Sequence, residues 1–511
     1  MRRRAFVQQL AGLAWAAVPR QAPAVVTAER ARPVIDYGVS AAPVGPDRAI
    51  VWAHVDRPAQ MIVRYATRSS FSDASLVRAQ LATPETGLTA HAEIGGLRAG
   101  QDVFYRVHFE GLTSPRTLSA PVEGHFRTAR AAGAVRIAWS ADVCGQGWGI
   151  DTARGGMRLF ATMADANPDL FIHVGDTIYA DGPLREEVPL DDGTVWRNLV
   201  TPAKAKVAET LDDYRGNHVY NRLDEHYRRF AAQVGHVVMW DDHEVRDNWY
   251  HDQVLPEQSP YSEKRVRVLA ERARQAFLES YPITINRSAT ARIYRSIPCG
   301  PLIEVFALDM RSYRGANSEN LQTARVPESA ILGQRQVQWL ANALSRSRAT
   351  WKIVAADMPL GITVAHQPGR HEAVANADPG EPRGRELEIG WLLSTLKRNR
   401  VRNVVWITGD VHYCAAHHYD PQRAATKDFD PFWEFIAGPA HAGTFANGPL
   451  DGTFGPEVRF QGVPGNLRPN RPPSGGLQFF GLLEAGPQGL TVSLVNTTGT
   501  RIFEQRLEPS R

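Results

Sequence analysis

FIHVGDTIYAD, residues 171–181, decides the fold. Phe171 to Val174 read as a buried strand, and the chain then delivers a carboxylate, Asp176, and a phenol, Tyr179, just beyond its end. The same grammar recurs. VRIAWSADVC ends in Asp142 and Cys144, HVVMWDDHEVRDN in Asp242, His243 and Asn248, LIEVFALDMRS in Asp309 and Arg311. WKIVAADMP ends in Asp357 and NVVWITGDVH in Asp410 and His412. Helical segments lie between, at 262–281 and 331–347. Alternating strand and helix predicts an α/β domain, whose sites lie beyond the carboxyl ends of its strands. Six polar strand ends therefore point to one site.

Working outward, residues 33–128 carry short, aromatic-rich alternating segments such as QMIVRYAT and DVFYRVHFEG, separated by turn residues. That pattern predicts an all-β sandwich of immunoglobulin or fibronectin type. ARAAGA, 129–134, reads as a linker, and the α/β domain is assigned to 134–511. Two Pro/Gly-rich loops, 365–386 and 448–476, are long enough to be functional. GLQFFGLLEAG, GLTVSLVN and TRIFEQRLE close the chain as a hairpin tail.

At the other end, Arg2, Arg3 and Arg4 precede a modest apolar stretch and Ala22-Pro23-Ala24. Residues 1–24 thus read as an export signal of twin-arginine type, with a periplasmic or extracellular destination. The 511 residues carry 58 basic and 54 acidic side chains, a net charge of +4. That excess is too small to demand nucleic acid, and no nucleic-acid-binding signature is present. No apolar run reaches the roughly 18 residues of a membrane span. Three cysteines, Cys144, Cys299 and Cys414, are too few for a disulfide framework. Oligomeric state is not legible.

Carboxylate, thiolate, imidazole and phenolate at strand ends are the inventory of a metal centre. Tyrosine, with its ordinary pKa near 10, ligates at neutral pH only beside a strong Lewis acid such as ferric iron. Asp176 is placed to offer one oxygen to each of two cations, and such a pair clamps a phosphoryl group.

Asp142-Val-Cys144, Gly175-Asp176-Thr-Ile-Tyr179, Asp241-Asp242-His243-Glu244 and Gly409-Asp410-Val-His412 stand in the order of the metallophosphoesterase blocks. The chain resembles the PhoD-type alkaline phosphatase/phosphodiesterase branch of that superfamily over nearly its whole length. The resemblance implies an α/β domain of two packed sheets flanked by helices. It also implies hydrolysis of small phosphate esters, mono- or diesters, through a metal-bridging hydroxide.

Three positions depart from the superfamily pattern: Cys144, Asp242 and Asp410 stand where histidine, asparagine and histidine are usual. The resemblance implies Fe³⁺ on Cys144, Asp176, Tyr179 and His412. It implies Ca²⁺, or Mg²⁺ or Mn²⁺, on Asp142, Asp176, Asp242 and Asp410, with Asn248 in reserve; hard oxygen donors suit such cations. His243 takes the place of the leaving-group acid, with Glu244 as the group that orients it. Arg311 and Arg314 are expected to fork onto phosphate oxygens. Asp241 reads as structural and the His417-His418 pair as solvated, while GPAHAG is glycine-rich enough for a close backbone approach to a ligand and the role of His441 stays open. Two rival readings remain: a polymer- or lipid-restricted phosphodiesterase, and a surface-binding protein with a structural metal.

Overall fold

Strand alternation builds the N-terminal unit. In Asp102–Gly111 the side chains of Val103, Tyr105, Val107 and Phe109 are buried, and those between them face outward. The computed structural model describes residues 32–45, 47–113, 117–284 and 292–510; the expected export signal lies outside them. Three antiparallel strands, Val39–Pro43, Ala49–His54 and Thr89–Ile94, form one sheet. Ala59–Ala66, Ser75–Ala82, Asp102–Gly111 and Val122–Arg127 form the other. Val51, Met61, Val63 and Phe126 belong to their shared core.

From Val135 onward two larger sheets appear. In the six-stranded sheet, Gly235–Val238, Leu170–His173 and Val135–Ser140 run parallel. The expected hairpin tail then extends it antiparallel through Phe479–Gly486, Gly489–Asn496 and Arg501–Leu507. The seven-stranded sheet has a parallel centre of Ile303–Ala307, Trp351–Ala355, Val404–Thr408 and Phe432–Ile436, with antiparallel strands outside it. One apolar core joins the sheets, with Ile137, Trp139 and Ile172 from the first and Val305, Ile353 and Ile407 from the second. Helices Gly333–Arg346 and Glu386–Arg398 add Leu340, Leu344, Ile389 and Leu392 to that core. Ala138 and Phe171, pointing the other way from the first sheet, cluster with Phe160 and Met163 of helix Arg158–Asp165 and Phe230 of helix Glu225–Gln233. An N-terminal unit mostly of strands thus precedes a mixed-sheet domain with helices.

The two units are pinned to each other by polar contacts. Trp52 donates its indole N–H to the Glu279 carbonyl at 2.7 Å, and the Arg222 guanidinium lies 3.9 Å above the same ring. Arg127 and Arg130 both pair with Asp169, at 3.3 and 3.1 Å. All three cysteines are buried and free.

Candidate metal centre

Parallel strands end on the same side of their sheet, so the polar residues after Ser140, His173, Val238, Ala307, Ala355 and Thr408 gather along one rim. The backbone turns sharply there. Asp142, Asp176, Asp410 and His412 all have φ between 52° and 66°, the left-handed region that non-glycine residues rarely adopt. Such conformations cluster at functional sites, where surrounding structure overdetermines them. The glycines before two of these aspartates serve close packing. A Cβ on Gly175 would stand 2.6 Å from that of Asp241, and one on Gly409 would stand 2.3 Å from that of Ala141. Only glycine lets these loops touch.

The result is three overlapping groupings whose ligand atoms lie within 4.8 Å of one another. Asp142, Asp176 and His412 make the first, Asp176, Asp242 and His243 the second, and Asp241, Asp242 and Asp410 the third. Asp176 is shared by the first two, and Asp242 by the second and third. Tyr179 joins the first, its hydroxyl 2.8 Å from His412 Nε2. His412 Nδ1 donates to the Gly443 carbonyl at 2.6 Å, which fixes the tautomer and leaves Nε2 with its lone pair toward the site. Burial lowers the His412 pKa to about 4, so the ring is neutral, as a ligand must be. Burial and the nearby Asp176 and Asp142 carboxylates push the Tyr179 phenol well up.

These residues fit a pair of cations. Both Asp142 carboxylate oxygens are buried without a hydrogen-bond partner, as is Asn248 Oδ1. Burial, followed by crowding from other carboxylates, pushes the Asp142 and Asp410 carboxyls well above their ordinary range. Asp176 moves the same way through burial, with Asp242 adding to the shift. A crowded buried cluster of this kind resists full ionisation; bound cations reverse that logic. The cavity above it, about 320 Å³, is lined by Asp176, Asp242, Asp247, Glu372 and Asp410, together with His243 and His412. No arginine or lysine is among its described lining residues.

Several expectations need correction, beginning with the two arginines and Glu244. Arg311 does not reach this cavity as a phosphate fork. Its side chain is 0% exposed and sits beneath the acidic cluster, bonded to Asp241 and to Glu372 (2.6 Å) and near Asp357 (3.4 Å) and Asp410 (3.3 Å). A guanidinium cannot be neutralised by losing its proton, so Arg311 is a fixed buried counter-charge. Arg314 is equally buried, with its terminal nitrogens bonded to Glu372 and Asn317. Nor does Glu244 orient His243. Glu244 accepts the Thr177 N–H (2.6 Å), the Thr177 hydroxyl (2.7 Å) and the Asp241 N–H (2.7 Å), bracing one loop against another. The partner of His243 is Asp181, whose Oδ1 lies 2.7 Å from Nδ1. Asp181 Oδ2 accepts the Asp247 N–H at 2.7 Å. Burial opposes a charge on His243, but Asp181, Asp242 and Asp176 outweigh it and raise its pKa well above the ordinary value. The ring also stacks on Tyr179, with centroids 4.2 Å apart.

A family model described as PhoD-like phosphatase matches residues 137–486, and one for the PhoD-like phosphatase N-terminal domain matches 20–130. The chain belongs to the PhoD-like phosphatase family. Alkaline phosphatase D of Bacillus subtilis (strain 168) is 29% identical over 363 residues, which span 68% of this chain and 58% of that protein. A solved structure of PhoD superposes with a TM-score of 0.68 at 21% identity, covering 93% of this chain and 92% of the other. The purple acid phosphatase PPD1 of yellow lupin gives 0.59 at 14% identity, covering 93% and 74%. Both structures support the fold.

Within this PhoD-like frame Cys144, expected as an iron ligand, is placed apart from the other expected ligands. It stands in none of the three groupings and belongs to an apolar cluster with Phe171 and Tyr220, where burial pushes its thiol up. Asn248 donates its N–H to Asp242 Oδ2 at 2.5 Å. GPAHAG bonds along the Asp142 loop, His441 N–H to the Asp142 carbonyl at 3.0 Å and Cys144 N–H to the His441 carbonyl at 2.6 Å. The His441 ring faces Gly149, 3.0 Å away. His417 is buried against Glu434 (3.4 Å) rather than solvated. Sequence reasoning did not single out Asp181 or Glu372. Asp181 lies inside the opening stretch, five residues after Asp176, and Glu372 inside the first long loop. Those positions were the only available signals.

Proposed function

We propose that this chain is an exported metal-dependent phosphoesterase acting on small phosphate mono- and diesters. One observation carries the reading: its cavity is walled by carboxylates and offers no described arginine or lysine. A phosphate ester is repelled by such a wall unless cations sit on it. Asp142, Asp176, Tyr179 and His412 would hold one cation, iron by the chemistry of a phenolate ligand. Asp176, Asp242, Asp410 and Asn248 would hold a harder one such as Ca²⁺. When bound, the pair supplies a Lewis-acid clamp on phosphoryl oxygens and makes water more acidic.

The chain's own groups do the rest. Asp181 holds His243 Nδ1, so that Nε2 carries the exchangeable proton at the cavity and passes it to the departing ester oxygen. Tyr179 stacks beneath that ring and limits its rotation. Arg311 offsets part of the carboxylate charge from below without competing for substrate.

The test is turnover of para-nitrophenyl phosphate, its bis ester, and lipid and polymer phosphodiesters, against a chelated control. Hydrolysis of the small esters supports the reading. Cleavage confined to polymer or lipid replaces it with the restricted phosphodiesterase, and no turnover of any ester above the control defeats it. Elemental analysis of exported protein identifies the metals. A visible charge-transfer band that shifts in Tyr179→Phe supports iron, and metal-replete protein without any band refutes it.

A further inference from the structure

A second, larger concavity of about 870 Å³ lies away from the metal-centre cavity, and no residue lines both. Its walls include Trp240 and Trp249, from the loop whose Asp242 and Asn248 line the metal-centre cavity. Five arginines line it: Arg267, Arg274, Arg292, Arg325 and Arg335. None makes an ion pair with a carboxylate among the described residues; Arg292 and Arg325 only lie over the rings of Tyr294 (5.5 Å) and Trp391 (4.6 Å). Four are exposed and Arg274 is half-buried.

Two glutamates oppose them. Glu388 is committed elsewhere, its Oε2 accepting the N–H groups of Ile331, Leu332 and Gly333 at the start of helix Gly333–Arg346. Glu271 is exposed. Five positive charges against two negative, in a chain whose total excess is only +4, is a marked local concentration. Elsewhere in the protein exposed arginines commonly pair with carboxylates, as Arg78 does with Glu110 (2.7 Å) and Arg402 with Asp430 (2.5 Å). The aromatic floor adds a second feature. Tyr313 is 44% exposed there, with Tyr294 5.9 Å from it, ring to ring. Trp249 is buried at this wall with its indole N–H unpartnered.

We propose that this groove binds a small polyphosphorylated anion, an oligophosphate chain free or carried on a nucleoside, at a site separate from the metal centre. Guanidinium forks match phosphate oxygens in pairs, and several forks along one groove exceed what a lone phosphate satisfies. The volume falls in the range of small-molecule pockets, and its concavity distinguishes it from a flat macromolecular surface. Exposed Tyr313 gives a nucleoside base a stacking partner, whereas a free chain needs only the arginines.

Isothermal titration of the metal-replete protein with inorganic tripolyphosphate and with α,β-methylene adenosine diphosphate tests this. Arg274→Gln with Arg292→Gln, and separately Arg325→Gln with Arg335→Gln, are the variants. Each pair removes exposed or half-buried charge, and circular dichroism checks the fold. Each double variant is expected to lose affinity about tenfold or more, while turnover of para-nitrophenyl phosphate stays at the wild-type value. Any binding component that survives unchanged belongs to the metal centre. Tighter binding of the nucleotide analogue identifies the nucleoside-borne source, and equal or tighter binding of tripolyphosphate the free one. Identical isotherms in wild type and both variants, or no saturable binding of either probe, overturn the proposal.

Discussion

Replacing Asp181 by asparagine separates the positioning of His243 from everything else in the centre. The two Asp181 oxygens do different work: Oδ1 receives the His243 Nδ1 proton and Oδ2 receives the Asp247 N–H, each at 2.7 Å. An amide has one acceptor and one donor end. Whichever way it turns, a donor faces a donor, at the ring or at the backbone. The lost interaction is a hydrogen bond between charged partners, worth about 1.5–3 kcal/mol. At 1.36 kcal/mol per factor of ten, kcat should fall about 10- to 150-fold. Under the proposed role of His243 as the acid for the leaving oxygen, the loss should be greater for an alkyl phosphate, whose leaving group needs that proton, than for para-nitrophenyl phosphate. Steady-state kinetics on both esters, with metal content measured on the same samples, is the assay. Asp181 is in none of the three ligand groupings, so metal content should not change. Wild-type kcat on the alkyl ester, or an activity loss that simply tracks lost metal, would refute the reasoning.

Asp176→Asn should empty the centre of metal and abolish turnover with the circular dichroism spectrum intact; full activity would remove Asp176 from the bridge. Glu372→Ala leaves the fully buried Arg311 and Arg314 without their shared partner, so denaturant unfolding should show a loss of about 3–5 kcal/mol. A loss under 1 kcal/mol would show that the remaining carboxylates suffice. His236 is buried against Phe171 and Phe230, and burial lowers its pKa to about 4 from 6.5. The unfolded chain therefore binds the proton first, and stability falls as pH drops from 6.5 towards 4. The span of 2.5 units corresponds to about 3 kcal/mol, so calorimetry on His236→Leu should show a flatter acid limb than wild type.

How much was legible follows from what is local. Asp142, Asp176, Asp242 and Asp410 could be found because each directly follows an apolar strand and its glycine or tight turn, a pattern contained in about ten residues. Asp181 and Glu372 could not, because loops carry no periodicity that says where a side chain will land. Arg311 was misread for the same reason. Its position after a strand end was clear, but its four nearest carboxylates are 46 to 99 residues away in sequence or further split between sheets, and only packing shows that they surround it.

Sequence alone determined the order of the two units, the alternation of strand and helix in the second and the acids at its strand ends, because strand period and turn chemistry act between near neighbours. Tertiary structure decided which of those acids face one another, that Asp181 rather than Glu244 holds His243, and that Arg311 lies under the site. It also set Cys144 apart from the ligand groupings. These outcomes depend on how two sheets and their loops meet, and a charge's role depends on distance and burial, which no linear pattern encodes.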